Sequence, residues 1–212
     1  MNRKAGAATG VIVAGSVLTA WAVQPAKKAD TNPGEAYATA FMGGMGGAGM
    51  EAWQDSLTPG LGHDVIRQFE GDWSVRMTSY PGQPNESPMG SYESENRMGF
   101  NGLYLEMRGE GEMFGKPAES LLVMGHDKLR GLFTLTMFDA VSPSPRLLKG
   151  NMSIDGTTIS FVGEMDEPLT GEVGKYFMAK WSMDGPDRYV YRHYEILYGD
   201  PFLVVEAVAT RK

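Results

Sequence analysis

The chain contains no cysteine, which removes disulfides, thiolate metal sites, thiol nucleophiles and a lipidated cysteine anchor together. Histidine is scarce as well: His63, His126 and His193 are the whole supply. No His-x-His or His-Glu-x-x-His pattern brings two of them to the spacing of a zinc site, so no metal is expected. A Gly-x-Ser-x-Gly elbow and a Ser-x-x-Lys pair are both missing. Nucleophilic catalysis therefore lacks support, and the reading leans away from an enzyme. Basic runs are absent too, and the formal net charge is −7. Such a chain is repelled by phosphate backbones, so nucleic acid is excluded as a partner.

What is present begins with an apolar segment. Arg3 and Lys4 precede a small-residue run from Ala5 to Ala20, and Ala20-Trp21-Ala22 is an A-x-A cleavage pattern. Residues 1–22 thus read as a signal peptide, or as an uncleaved anchor, since Ala5 to Val23 approaches the ~20 residues of a membrane span. Either way the domain that follows is expected outside the cytoplasm, periplasmic or secreted, with membrane contact only through residues 5–23. Without residues 1–22, which carry two bases and no acid, the remainder stands at −9.

Residues 23–60 change character. Pro25, Pro33 and Gly34 sit in a polar linker, followed by the Gly/Met-rich run from Phe41 to Met50. Glycine-rich backbone loses much entropy on folding, so this stretch reads as a flexible arm that is free to meet a protein partner. Capture of a soft metal by Met42, Met45 and Met50 is the sharper alternative, weakened by the lack of an adjacent histidine.

From residue 61 to 212 the pattern is that of one globular domain. Leu61 to Tyr80 opens it: an apolar turn at Val65, Ile66 and Phe69, then Gly71-Asp72-Trp73, then Trp73, Val75 and Met77 alternating with polar residues. Nine further alternating runs follow, with breaks at Asn101-Gly102, Asp155-Gly156, Asp184-Gly185-Pro186 and Gly199-Asp200-Pro201. Asp155-Gly156 carries the signal of a two-residue hairpin. No stretch after Phe69 keeps a helical period. Many short strands with tight turns predict an all-β fold, an up-and-down antiparallel barrel of about 8–10 strands, with a sandwich as runner-up.

The order of motifs is informative. Gly71-Asp72-Trp73 precedes Asn101-Gly102-Leu103-Tyr104-Leu105-Glu106, then Met124-Gly125-His126-Asp127, Phe138-Asp139, Asp155-Gly156, Trp181 and a closing Tyr191…Tyr194 strand. From Leu61 to Lys212 this resembles a bacterial family known as a domain of unknown function, number fifteen-seventy-nine, regarded as lipocalin-like. Asn101 stands where that family has glycine, His126 where it has an aromatic, and Phe138 where tryptophan is common. The resemblance implies a barrel and carries no activity, cofactor or site residue with it.

Parity assigns faces. Tyr189, Tyr191, His193 and Glu195 share one side of their strand, which could line a polar cavity or face water. A haem-binding barrel, by analogy with nitrobindin-type proteins, would use such a late-strand histidine, but the surrounding sequence does not match, and no cofactor is expected. Glu93, Glu95, Glu106, Glu110 and Glu112 alternate with small or apolar residues as a solvated outer face does. Methionine is abundant at 15, either as core filler or as lining for an adaptable pocket. The expected function is therefore binding of a small apolar molecule. Trp73, Val75, Met77, Leu105 and Met107 would supply the walls, and Tyr191 and His193 the polar anchors. A membrane-tethered accessory subunit of an envelope complex is the alternative.

Overall fold

The computed structural model describes residues 33–44, 46–80, 86–140, 142–168, 170–197 and 199–212. The signal or anchor segment at 1–22, the start of the arm and Met45 lie outside the described residues. The described residues up to Gly43 and those from Gly44 onward fall into two units. Within the stretch read as a flexible arm, two helices form. The first, α1, is Pro33–Gly44, where proline opens, a Glu-Ala-rich run continues and paired glycines stop it. The second, α2, is Ala48–Ser56 and contains Trp53. It belongs with the domain that follows, to which Lys128 ties it by bonding the Asp55 carbonyl at 2.6 Å and carboxylate at 2.9 Å. Among the described residues no helix is long and apolar enough to cross a membrane.

A third helix, α3 (Leu61–Arg67), leads into ten strands: β1 Gly71–Ser79, β2 Ser87–Gly99, β3 Tyr104–Met113, β4 Lys116–Asp127 and β5 Leu132–Asp139, then β6 Arg146–Met152, β7 Thr158–Glu167, β8 Glu172–Met183, β9 Arg188–Leu197 and β10 Asp200–Arg211. Each strand pairs antiparallel with its chain neighbour, and β1 pairs with β10 from Trp73 opposite Arg211 to Ser79 opposite Val205. The result is a closed up-and-down barrel, which leaves no sheet edge unpaired. The ten runs of alternation correspond to the ten strands. One turn departs from expectation: the β6–β7 connection is not a two-residue hairpin. Ser153 N–H bonds to the Thr158 carbonyl, and Asp155 accepts from Ser153 Oγ at 2.5 Å and Thr157 N–H at 3.2 Å. An aspartate that captures neighbouring donors stabilises this wider loop.

Alternate residues of every strand point inward, and the largest of them gather at one end. There α3 lies against β3 and β4. Ile66, Phe69 and Trp73 are fully buried, and Trp73 and Phe69 meet Tyr189 edge-on at 4.7 and 5.4 Å between ring centres. The Phe69 carbonyl accepts two buried bonds, from Trp73 Nε1 at 3.0 Å and Asn96 Nδ2 at 2.8 Å. Gly71 enters β1 at φ +130°, and a Cβ there would strike the Arg211 guanidinium. That guanidinium covers the Trp73 ring at 4.2 Å and bonds the Glu70 carbonyl at 2.8 Å. The last strand thus grips the first at the plugged end.

Trp73→Ala is expected to lower stability by about 3–5 kcal/mol, the range for emptying a buried aromatic site. Trp53→Ala, at an exposed position of α2, should change it by less than about 0.5 kcal/mol. Urea unfolding followed by circular dichroism compares the two, and equal midpoints would show that Trp73 is not the plug.

Candidate functional site, an apolar cavity beside a buried polar cluster

Above the aromatic plug the inward side chains become small. Gly109, Ser94, Ser120 and Ala207 leave space that bulkier residues would fill, and a cavity of ≈ 110 Å³ remains. Its walls are mostly thioether and aromatic. Met77, Met107, Met113 and Met137 come from β1, β3 and β5, while Tyr92, Trp181, Tyr189 and Tyr191 come from β2, β8 and β9. Val75 and Leu122 complete the apolar lining, and Asp139 brings the one charge. Methionine bends around irregular shapes at small energetic cost, so four of them make an adaptable wall.

On the side away from α3, the next inward positions are polar. Arg146, at the start of β6, pairs with Asp139 at the end of β5. Lys175 of β8 pairs with Glu195 of β9 at 2.8 Å. His193 lies between these pairs along β9; its Nδ1 is 3.4 Å from the Tyr191 hydroxyl, and its ring stacks on Phe177 at 4.7 Å. Both members of each pair are largely buried. Burial, reinforced by the charges of Arg146 and Lys175, pushes the His193 pKa down to about 4, so the ring is neutral at neutral pH. Burial likewise pushes the Tyr191 hydroxyl up to about 12, with Arg146 opposing. Three buried donor or acceptor atoms here make no hydrogen bond: Arg146 Nε, Trp181 Nε1 and His193 Nε2.

The residues expected from sequence are distributed as follows. Val75, Met77, Met107 and Tyr191 line the cavity. Trp73 and Leu105 are fully buried at the plugged end and do not line it. His193 points inward, 7% exposed, two residues beyond Tyr191 and so at the next inward position. Sequence reasoning passed over Arg146 and Asp139. Their signal was available in parity: Arg146 alternates with Leu148 and Gly150, and Asp139 with Met137 and Leu135. A charge in register with an apolar face marks an inward ion. Asn96 was missed for the same reason. Among the described residues, no three His, Asp or Glu side chains are placed to share a metal ion.

A second polar group sits under α3. His63 Nδ1 accepts the Gly60 N–H at 3.0 Å, which puts the ring proton on Nε2. His126 meets His63 edge-on at 5.6 Å, and its Nδ1 is buried without a partner. A Cβ on Gly62 would run into the His126 ring, so the helix reaches this depth only with glycine there. Burial lowers the pKa of both histidines, with the other ring's charge adding to the effect on His63.

These features define a lipocalin-like up-and-down barrel, plugged at one end, with a small apolar cavity. Residues 58–211 match the family described as "Protein of unknown function (DUF1579)", and the chain belongs to it. A search of the curated proteins finds no match. Among solved structures, the crystal structure of Rv2717c from M. tuberculosis is similar at a TM-score of 0.52 with 14% identity, covering 72% of this chain and 98% of that one. The S-type phycobiliprotein lyase CPES from Guillardia theta is similar at 0.45 with 12% identity, over 75% and 96% of the two chains. At 14% identity the likeness to the first concerns the fold.

Protonation behaviour supplies a test of the buried cluster. A histidine whose folded pKa lies below its unfolded value takes up its proton more readily in the unfolded chain, so acid favours unfolding. His193 falls from 6.5 to about 4, so its contribution is complete above pH 6.5 and is lost as pH drops toward 4. The loss should reach about 3 kcal/mol at the acid end of that window. In urea titrations at pH 7.5 and 4.5, His193→Gln should lose clearly less stability than the wild type. Parallel losses would show that His193 is solvated.

Proposed function

We propose that this barrel is a binding module that works outside the cytoplasm and holds a small, mostly apolar molecule in the cavity above its aromatic plug. The observation that carries the reading is the lining itself. Four methionines and four aromatic rings surround ≈ 110 Å³ of space inside the sheet, next to the fully buried aromatic layer. An apolar cavity of about 150 Å³ stays dry and binds benzene; this one, at ≈ 110 Å³, is smaller, and admits a single-ring guest by rotamer shifts of its methionine walls. Drug-sized ligands need roughly 300 Å³ or more, so a large planar cofactor would have to rearrange the walls. Binding is favoured over catalysis because the lining offers no activated nucleophile: its hydroxyls are Ser94, Ser120 and tyrosines, and Tyr189 and Tyr191 hold their protons up to about pH 12. The extracytoplasmic location rests on the charged start, apolar run and A-x-A pattern of residues 1–22, as does their removal or retention as an anchor.

Toluene is a suitable probe. Saturation-transfer NMR should report its binding to the wild-type protein, and Val75→Phe, which fills the cavity from β1, should abolish the signal. The same variant should unfold within about 1–2 kcal/mol of wild type, because the added ring enters existing space. Absence of toluene binding by the wild type would defeat the reading.

A further inference from the structure

The polar cluster beside the cavity narrows the chemistry of the guest; this step rests on the binding reading above. Three side chains converge on Tyr191. Trp181 is its register partner on β8, with ring centres 5.1 Å apart. His193 meets its hydroxyl at 3.4 Å. The Arg146 charge acts on the same hydroxyl from β6. All three residues are more than nine-tenths buried: Trp181 is 4% exposed, His193 7% and Arg146 9%. Each also keeps one buried nitrogen without a partner. For Arg146 Nε and Trp181 Nε1 that nitrogen is an obligate donor, since neither a guanidinium nor an indole accepts hydrogen bonds. An unmade bond at a buried donor is costly, so such atoms point to a partner that arrives from outside.

The partner must accept hydrogen bonds, and the charge balance says more. Arg146 is matched by Asp139, Lys175 by Glu195, and His193 is neutral at neutral pH. The cluster therefore has no surplus positive charge with which to hold a buried anion. A carboxylate placed here would be desolvated without an ionic partner of its own unless it displaced Asp139. A carbonyl oxygen carries acceptor lone pairs and no charge, and it meets the unbonded donors without that cost. We infer that the guest is a small apolar molecule bearing a neutral carbonyl, its hydrocarbon part among the methionines and its oxygen on the side of Arg146 and Trp181.

Three probes share one heavy-atom skeleton and differ only in the head group: cumene offers no acceptor, acetophenone a neutral one, and benzoate an anionic one. Each would be titrated into the purified ¹⁵N-labelled protein near pH 7.5, with the Trp181 indole resonance identified by its loss in Trp181→Phe. Acetophenone should bind about tenfold or more tightly than either of the others and should shift that resonance. Trp181→Phe should cut the preference over cumene to about threefold or less while leaving cumene binding in place. Because Arg146→Met alone strands Asp139, the paired variant Arg146→Met with Asp139→Leu tests the guanidinium. It should reduce the preference in the same way. Equal binding of cumene and acetophenone, with the Trp181 resonance unmoved, would overturn the carbonyl assignment and leave the binding module standing. Tightest binding by benzoate would replace the neutral head group with an anionic one. Failure of all three to bind would remove the binding reading itself.

Discussion

One backbone carbonyl holds the plugged end together. The oxygen of Phe69 ends the short helix run, lies in a buried layer and would be costly there without partners. It receives Trp73 Nε1 and Asn96 Nδ2, both from fully buried side chains. Those two donors sit on adjacent strands, so one acceptor fixes the helix, the first strand and the second at once. Ser94 completes the set by donating to Asn96 Oδ1 at 2.7 Å, and the Tyr189 hydroxyl meets the same amide from the ninth strand. The polar atoms of this layer are spent on each other, which lets the rings around them pack as an apolar core.

The cavity follows from how side-chain volume is graded along the barrel. Near the helix, inward positions are filled by Phe69, Trp73, Phe161 and Leu105. Farther along, the third, fourth and tenth strands offer Gly109, Ala118, Ser120 and Ala207. A sheet of fixed circumference cannot shrink to meet small residues, so the missing volume appears as space. Beyond it the chain turns to ion pairs rather than to more hydrocarbon. The interior is thus layered: rings, then thioethers around a void, then paired charges.

Strand number, order and inward parity were legible in the sequence because period-two alternation reports a half-buried sheet directly, and Trp73 announced the plug by its size after Gly71. The site was legible in part. Val75, Met77, Met107 and Tyr191 fell on the right face, but parity gives no depth, so Trp73 and Leu105 were placed with the cavity although they lie below it. Arg146, Asp139 and Asn96 were passed over, since a single charged or amide residue in a strand usually faces water. Only the closure of the sheet shows that their neighbours on the same face are buried. The helix at 33–44 was hidden by the glycine- and methionine-rich composition of the stretch that it runs into.

The pairing of the first strand with the tenth also sets the order of events during synthesis. About 120 residues separate Ser79 from Asp200, which at ~5–20 residues per second is on the order of ten seconds of elongation. Throughout that time the outer edge of the first strand has no native partner, and an open edge is a template for foreign strands. The Arg211 guanidinium, which bonds the Glu70 carbonyl and covers Trp73, sits at the end of the tenth strand and so is made after the rest of the barrel's strands. Closure therefore waits for the tenth strand. Until it happens, a nascent or shortened polypeptide presents to chaperones an unpaired strand edge and an uncovered tryptophan that the finished protein conceals.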